Sequence, residues 1–165
     1  MKITREKLIA LWQLSNRLIN TQTSVKFHYL LLKNKRLLDP EVESLQTIQK
    51  PSEDYEKFNE ARVELCKEHA DKDEQGNPKV TRDPVNGTEQ FSMLENKEAF
   101  DKAVKELQET HKEAIDEAEQ KQEDFMALLN EEIELELITI PLSIMPKELV
   151  GRDVDLLFDI IDGEA

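Results

Sequence analysis

The segment from Asp71 to Arg82 has the residue types and part of the spacing of a calcium-binding EF-hand loop. Asp71, Asp73 and Gln75 alternate with other residues, and Gly76 stands at the sixth position, where such a loop turns sharply. The twelfth position is Arg82 instead of the glutamate that chelates the ion with both oxygens. A cation at this position repels Ca²⁺, so we expect these residues to form the turn that follows a helix.

A thiol and an imidazole lie one helical turn apart at Cys66 and His69, which is half of a tetrahedral zinc site. The other half is missing, because an antiparallel pair of helices closed by residues 71–97 places His111 opposite residue 57 and far from His69. Cys66 is the only cysteine, which excludes an internal disulfide and is typical of a reducing compartment.

Acidic residues one helical turn apart, Glu106 with Glu109 and Glu113 with Asp116, could bind Mg²⁺ or Mn²⁺ in a helical NTP-hydrolysing enzyme or iron in a di-iron bundle. Such sites need carboxylates from several helices, and the di-iron type needs Glu-x-x-His, which this sequence lacks. The sequence also has no glycine-rich phosphate loop and no nucleophile motif. We therefore interpret these acids as solvated helix faces and expect no catalytic residue, no cofactor, no metal ligand and no enzyme.

Helices account for most of the predicted elements. We expect Thr4 to cap a first helix that ends near Asn20, and Ser24 to cap the next helical region. Pro40 and Pro51 interrupt that region, and a proline inside a helix removes an amide donor. We therefore expect two or three consecutive helices there.

A hairpin and a long return helix are predicted next. Residues 79–82 and 89–92 flank Asp83–Gly87, whose Asn-Gly pair favours a tight turn between two short strands. Asn96 is then expected to cap a helix over residues 97–131, in which apolar positions recur in a heptad-like rhythm. This helix should run antiparallel to the one that precedes the hairpin.

Alternating apolar and acidic residues over 133–140 predict one extended strand that ends at Pro141. No second strand is predicted near it. It either lies over the first two helices with its backbone hydrated, or pairs with a strand of another chain. A short helix then begins at Arg152 or Asp153 and ends at Gly163.

The predicted fold class is mainly α, an elongated antiparallel helical hairpin or coiled coil with a small β-hairpin at its tip and a short C-terminal strand plus helix at its base. A length of 165 residues favours a single domain, 1–165. Within it we expect basic N-terminal helices over 1–38, the helical hairpin over 39–131 with its tip at 72–96, and the strand and last helix over 132–165.

The net charge of −14 is divided unevenly along the chain. Residues 1–40 contain eight bases and two acids, a net charge of +6, so residues 41–165 carry −20. We expect the two parts to attract each other within one fold, and we do not expect nucleic acid as a partner, since the acidic remainder repels phosphate. The expected pairing brings Glu131, Glu132, Glu134 and Glu136 toward Arg17, Lys26, Lys33 and Arg36.

A membrane association is also not expected. No stretch approaches the roughly 18 apolar residues that a membrane span requires. The first residues, Met1 to Thr4, lack the apolar region of a signal peptide. We therefore expect a soluble protein.

Several segments follow one another in a recognisable order: Glu68–Pro78, the helix from Phe100, Glu131–Leu135, Ile140–Leu142, Leu156–Leu157 and Ile160–Ile161. This order resembles a family of small tailed-bacteriophage proteins, a domain of unknown function. The resemblance covers residues 24–162, and it implies a viral origin and action in the host bacterial cytoplasm or in the virion.

The leading functional hypothesis is a non-enzymatic protein that docks on a protein partner or on other copies of itself through its base. The alternative is an acidic inhibitor that imitates nucleic acid and occupies a host nuclease or a DNA-binding or defence protein. The expected partner-binding residues are apolar side chains of the base: Trp12, Leu14, Leu135, Leu137, Ile138, Ile140, Leu142, Met145 and Phe158.

Overall fold

A computed structural model describes residues 1–21, 23–83, 87–92 and 96–163. The fold is mainly helical with small β-sheets, in agreement with the predicted class. The chain forms two compact units, one of residues 1–50 and 122–165 (unit 1) and one of residues 51–121 (unit 2).

The described residues form six α-helices and six short strands. The helices are α1 (Arg5–Ile19), α2 (Val25–Gln49), α3 (Glu53–His69), α4 (Lys97–Thr110), α5 (Lys112–Asn130) and α6 (Gly151–Leu157). The strands are β1 (Lys2–Thr4), β2 (Val80–Arg82), β3 (Glu89–Phe91), β4 (Glu132–Glu134), β5 (Ile140–Pro141) and β6 (Ile161–Asp162).

Side-chain hydroxyls begin the first two helices as predicted. Thr4 Oγ1 accepts a hydrogen bond from the Lys7 amide and Ser24 Oγ from the Phe27 amide, both at 3.2 Å. Asn96 precedes α4 but its side chain makes no capping hydrogen bond, because its backbone (φ −115°, ψ 21°) lacks the extended conformation of a capping residue.

The structure lacks one predicted helix interruption and contains another that was not predicted. Residues 24–71 form two helices as expected, but only Pro51 separates them, and α2 continues through Pro40. The helix predicted over 97–131 is divided at His111, whose φ of −109° and ψ of 22° are not helical. Thr110 Oγ1 donates to the Glu106 carbonyl oxygen at 2.8 Å, a bond of the kind that bends helices.

The prediction of one strand over 133–140 without a partner in the chain is wrong. β4 pairs antiparallel with β1, with Ile133 opposite Ile3, and β5 pairs in parallel with β6, with Ile140 opposite Ile161. Both pairings join segments far apart in sequence, which local patterns do not reveal. The C-terminal helix is correspondingly shorter than predicted, because Ile161 belongs to β6.

The hydrophobic core of unit 1 lies where α1 and α2 pack together, with α6 against α1. Buried side chains of α1 recur at helical spacing and face those of α2. The core consists of Ile3, Leu8, Leu11, Leu14, Leu18, Phe27, Leu31, Leu38, Val42, Ile140, Leu157 and Ile160.

One buried polar residue, Asn34, interrupts the apolar stripe of α2 and fixes the extended segment between β4 and β5. Its Nδ2 donates to the Ile138 carbonyl oxygen at 2.8 Å, and its Oδ1 accepts from the Ile138 amide at 2.7 Å. Asn34 is 1% exposed. The Asn34 side chain therefore makes the two backbone hydrogen bonds that a neighbouring strand would otherwise make to Ile138.

In unit 2, α3 and α4 run in opposite directions. The ring of Phe58 lies 5.8 Å from that of His111, and the ring of His69 lies 6.1 Å from that of Phe100, as measured between centroids. Phe58 is next to residue 57, the position predicted to face His111.

The predicted hairpin is present in unit 2 as β2 and β3, with Val80 opposite Phe91. Gly87 of its turn has a φ of +71°. Residues 84–86, including the Asn of the predicted Asn-Gly turn, lie outside the described residues.

The loop with EF-hand-like spacing forms an ordinary turn. Asp73 Oδ1 accepts hydrogen bonds from the amides of Gln75 and Asn77 at 2.9 and 2.8 Å. These bonds hold the pKa of Asp73 below its usual range, with the Asn77 amide as the largest cause. In the described ranges, no group of three His, Cys, Asp or Glu residues could hold a metal ion.

None of the helices in the described part of the chain combines the length and hydropathy needed to cross a membrane.

Candidate interaction surface

Two of the expected partner-binding residues lie in the core and cannot contact a partner. Leu14 is 3% exposed on the inner side of α1, and Ile140 is fully buried in β5. The expectation is wrong for both: Leu14 belongs to the inward stripe of α1 with Leu11 and Leu18, and Ile140 is covered by pairing with the distant strand β6.

Trp12 is half-buried and takes part in a polar cluster with two residues of α2. Its Nε1 donates to Asp39 Oδ1 at 2.7 Å, Lys35 Nζ donates to the same oxygen at 2.7 Å, and Lys35 lies 5.3 Å from the centre of the indole ring. The Lys35 hydrogen bond, aided by Trp12, holds the pKa of Asp39 below its usual range although burial opposes this. Trp12 thus joins α1 to α2.

Four further expected residues are only half-exposed. Leu135, Leu137 and Met145 pack against the core of unit 1, and Ile138 is tied to Asn34 through its backbone. Their main role in the structure is therefore to close unit 1.

Leu142 and Phe158 are the two expected residues that are truly exposed, at 54% and 70%. Phe158 continues a row of exposed apolar side chains with Val150, which is 58% exposed, and Val154, which is 36% exposed. Val150, Val154 and Phe158 are spaced four positions apart in the sequence. At this spacing Val154 and Phe158 lie on the same side of the last helical turns.

A second exposed surface, on α2, was not predicted. Val25 is 85% and Tyr29 57% exposed, and Leu32 and Leu37 are also exposed. The signal was present in the sequence, since the inward stripe of Phe27, Leu31 and Leu38 leaves these positions on the other side of the helix.

Ion pairs join the basic N-terminal segment to acids that follow it. Arg5 contacts Glu41 at 2.7 Å and Glu131 at 3.0 Å, while Lys7 pairs with Asp159 and Arg17 with Asp153. The attraction between the segments is as expected, but the predicted partners are wrong. Arg17 pairs with the buried Asp153, and in the described residues no ion pair joins Lys26, Lys33 or Arg36 to the predicted glutamates, of which Glu131 pairs with Arg5. The Arg5 pKa is raised, chiefly by the hydrogen bond to Glu41.

Unit 2 contains an open cleft of about 590 Å³ between α3, α4 and the hairpin. Cys66 and Phe100 line it together with side chains of both charge signs, Arg62, Lys97 and Asp101 among them. The cysteine has no metal-ligating cluster around it among the residues described.

Comparison with known proteins gives no match: the chain matches no family model, no curated protein and no solved structure.

Proposed function

We propose that this chain is a phage-encoded, non-enzymatic protein that binds a protein partner or further copies of itself. Docking takes place through its base, which we define as residues 1–38 and 132–165. The host bacterial cytoplasm or the virion is the site of action implied by the resemblance to tailed-phage proteins. The elongated hairpin expected for residues 39–131 is part of this proposal.

The distribution of exposed apolar side chains carries the proposal. Of the twelve large hydrophobic residues that are exposed in the described part of the chain, eight lie in the base. They are Val25, Tyr29, Leu32, Leu37, Leu142, Val150, Val154 and Phe158. They form two exposed surfaces, one on α2 and one over residues 142–158, and exposed apolar surface of this kind is typical of protein interaction sites. The unpaired strand no longer supports the proposal, because β4 and β5 are both paired within the chain.

Light scattering of the full chain and of a base variant tests this function. We expect the wild type to form a complex with itself or with a protein partner purified alongside it. Leu142→Ser combined with Phe158→Ser should weaken that complex at least tenfold. The matched control is Val63→Ser with Met126→Ser, two exposed apolar residues outside the base. A strictly monomeric wild type that captures no protein contradicts the proposal.

A second candidate function is the imitation of nucleic acid by acidic helix surfaces. Glu53, Glu56 and Glu60 are exposed on α3, where successive carboxylates could occupy phosphate positions on a basic protein. Binding of this kind should weaken steeply between about 50 and 200 mM salt. Apolar docking should persist across the same range, so a salt titration of the captured complex distinguishes the two functions.

A further inference from the structure

The first half of α2 presents an outer face of apolar and basic side chains without an acid. No Asp or Glu occurs between Glu6 and Asp39. The exposed residues of this outer face are Val25, Lys26, Tyr29, Leu32, Lys33, Arg36 and Leu37. The residues span about 18 Å along the helix, which is the length of three to four turns.

The orientation of this face is fixed by the core. Phe27, Leu31 and Leu38 are fully buried on the opposite side of α2, so rotation of the helix would expose them. Lys33 Nζ lies 5.1 Å from the centre of the Tyr29 ring, which places charge and apolar surface together.

The basic side chains of this face make no ion pair within the described part of the chain. In the part of the chain that the structure describes, ion pairs of residues 1–40 involve Arg5, Lys7, Arg17 and Lys35. No such pair includes Lys26, Lys33 or Arg36, although Arg36 acts on Asp39 over a longer distance. A positive surface is therefore left facing solvent in a chain whose net charge is −14.

We propose that the outer face of α2 binds an acidic amphipathic helix of a protein partner. This inference rests on the proposed interaction function and names the kind of partner. Lys26, Lys33 and Arg36 match carboxylates, whereas Val25 and Tyr29 match apolar anchors at helical spacing. Helix-to-helix packing uses both kinds of contact along a stretch of this length.

The composition of the face favours a protein over other anionic partners. Val25, Leu32 and Leu37 gain little from contact with nucleic-acid phosphates. Glu43, exposed on the same side of α2 beyond Arg36, limits the positive patch, and residues 41–165 carry −20. An extended polyanion or an anionic bilayer would reach beyond the three bases to the carboxylate of Glu43 and be repelled there.

Binding of a designed peptide tests the proposal. The probe is a fluorescent 18-residue helix with leucine and alanine on one side and glutamate on the other, measured by anisotropy. We expect the full chain to bind it, and the triple variant Lys26→Glu, Lys33→Glu, Arg36→Glu to bind at least tenfold more weakly. Tyr29→Ser should weaken binding several-fold through the apolar contact.

The matched control carries the same change of charge in unit 2, Lys79→Glu, Lys105→Glu and Lys112→Glu, and should bind like the wild type. Circular dichroism establishes that every variant is folded. Absence of peptide binding, or equal weakening by both triple variants, overturns the inference. Tighter binding of a 20-nucleotide single strand or of phosphatidylserine vesicles through the same three bases also overturns it. The Leu142 and Phe158 variant tests the broader function independently, so the two failures are distinguishable.

Discussion

The paired hydrogen bonds between Asn34 and Ile138 predict that Asn34→Ala destabilises unit 1. A hydrogen bond that water can replace contributes about 0.5–1.5 kcal/mol, and a buried polar group left without a partner costs about 1–3 kcal/mol. Ile138 is half-buried, so its amide and carbonyl lie between these limits. Losing both bonds should lower the free energy of unfolding by about 2–4 kcal/mol.

Urea denaturation followed by circular dichroism gives the free energy, and hydrogen exchange at the Ile138 amide locates the change. We expect that amide to lose protection in the variant. Asn130→Ala removes an exposed asparagine with one local bond to the Met126 carbonyl oxygen, and it should change stability by less than about 0.5 kcal/mol.

Asn34→Asp sharpens the test, because a carboxylate keeps the acceptor but loses the donor. Burial and the Ile138 carbonyl should raise the pKa of the new carboxyl in the folded state. The variant should therefore be closest to wild type at acidic pH and lose stability as pH rises through that pKa. An Asn34→Ala variant with wild-type stability and a slowly exchanging Ile138 amide would refute the reasoning.

Three further predictions concern single residues. The pKa of Asp39 is lowered, so its interactions stabilise the fold above its unfolded pKa of about 4, and this stability is lost as pH falls through the folded pKa. Trp12→Phe removes one hydrogen-bond donor to Asp39 and should raise the pKa of Asp39, as measured by NMR titration of the carboxyl group. Gly76 has a φ of +84°, so Gly76→Ala should cost about 1 kcal/mol in thermal unfolding, whereas Gly151→Ala at the start of α6 should be neutral, and equal effects would contradict this explanation. Pro40→Ala restores an amide donor inside α2 and should raise stability by about 1–3 kcal/mol, so a lower melting temperature would count against it.

Local signals in the sequence predicted those elements that depend on neighbouring residues. Thr4 and Ser24 begin helices because a hydroxyl three residues before a free amide needs no distant partner. The β2–β3 hairpin follows likewise from the turn formers between its strands. The residue opposite His111 was also predicted to within one position from the length of the connection over residues 71–97.

The elements that escaped prediction depend on residues far apart in sequence. Lys2–Thr4 has too few residues to show alternation and becomes a strand only because Glu132–Glu134 lies beside it. Asn34 is a polar residue in an apolar stripe, and its role becomes apparent only when its hydrogen bond to Ile138, 104 residues away, is known. For the same reason the apolar pattern placed Ile140 and Phe158 in one partner-binding set, although the fold buries Ile140 against β6 and exposes Phe158.

The pairing of β1 with β4 and of β5 with β6 determines the order in which the chain can fold during synthesis. Residues 51–121 are contiguous, so unit 2 is complete early, whereas unit 1 needs a strand from residue 2 and another from residue 161. At about 5–20 residues per second, α1 waits roughly 10–30 s for its last partners. During that interval α1 can already pack against α2, but the part of its surface that contacts α6 stays open to water and to chaperones, because α6 and β6 are synthesised last.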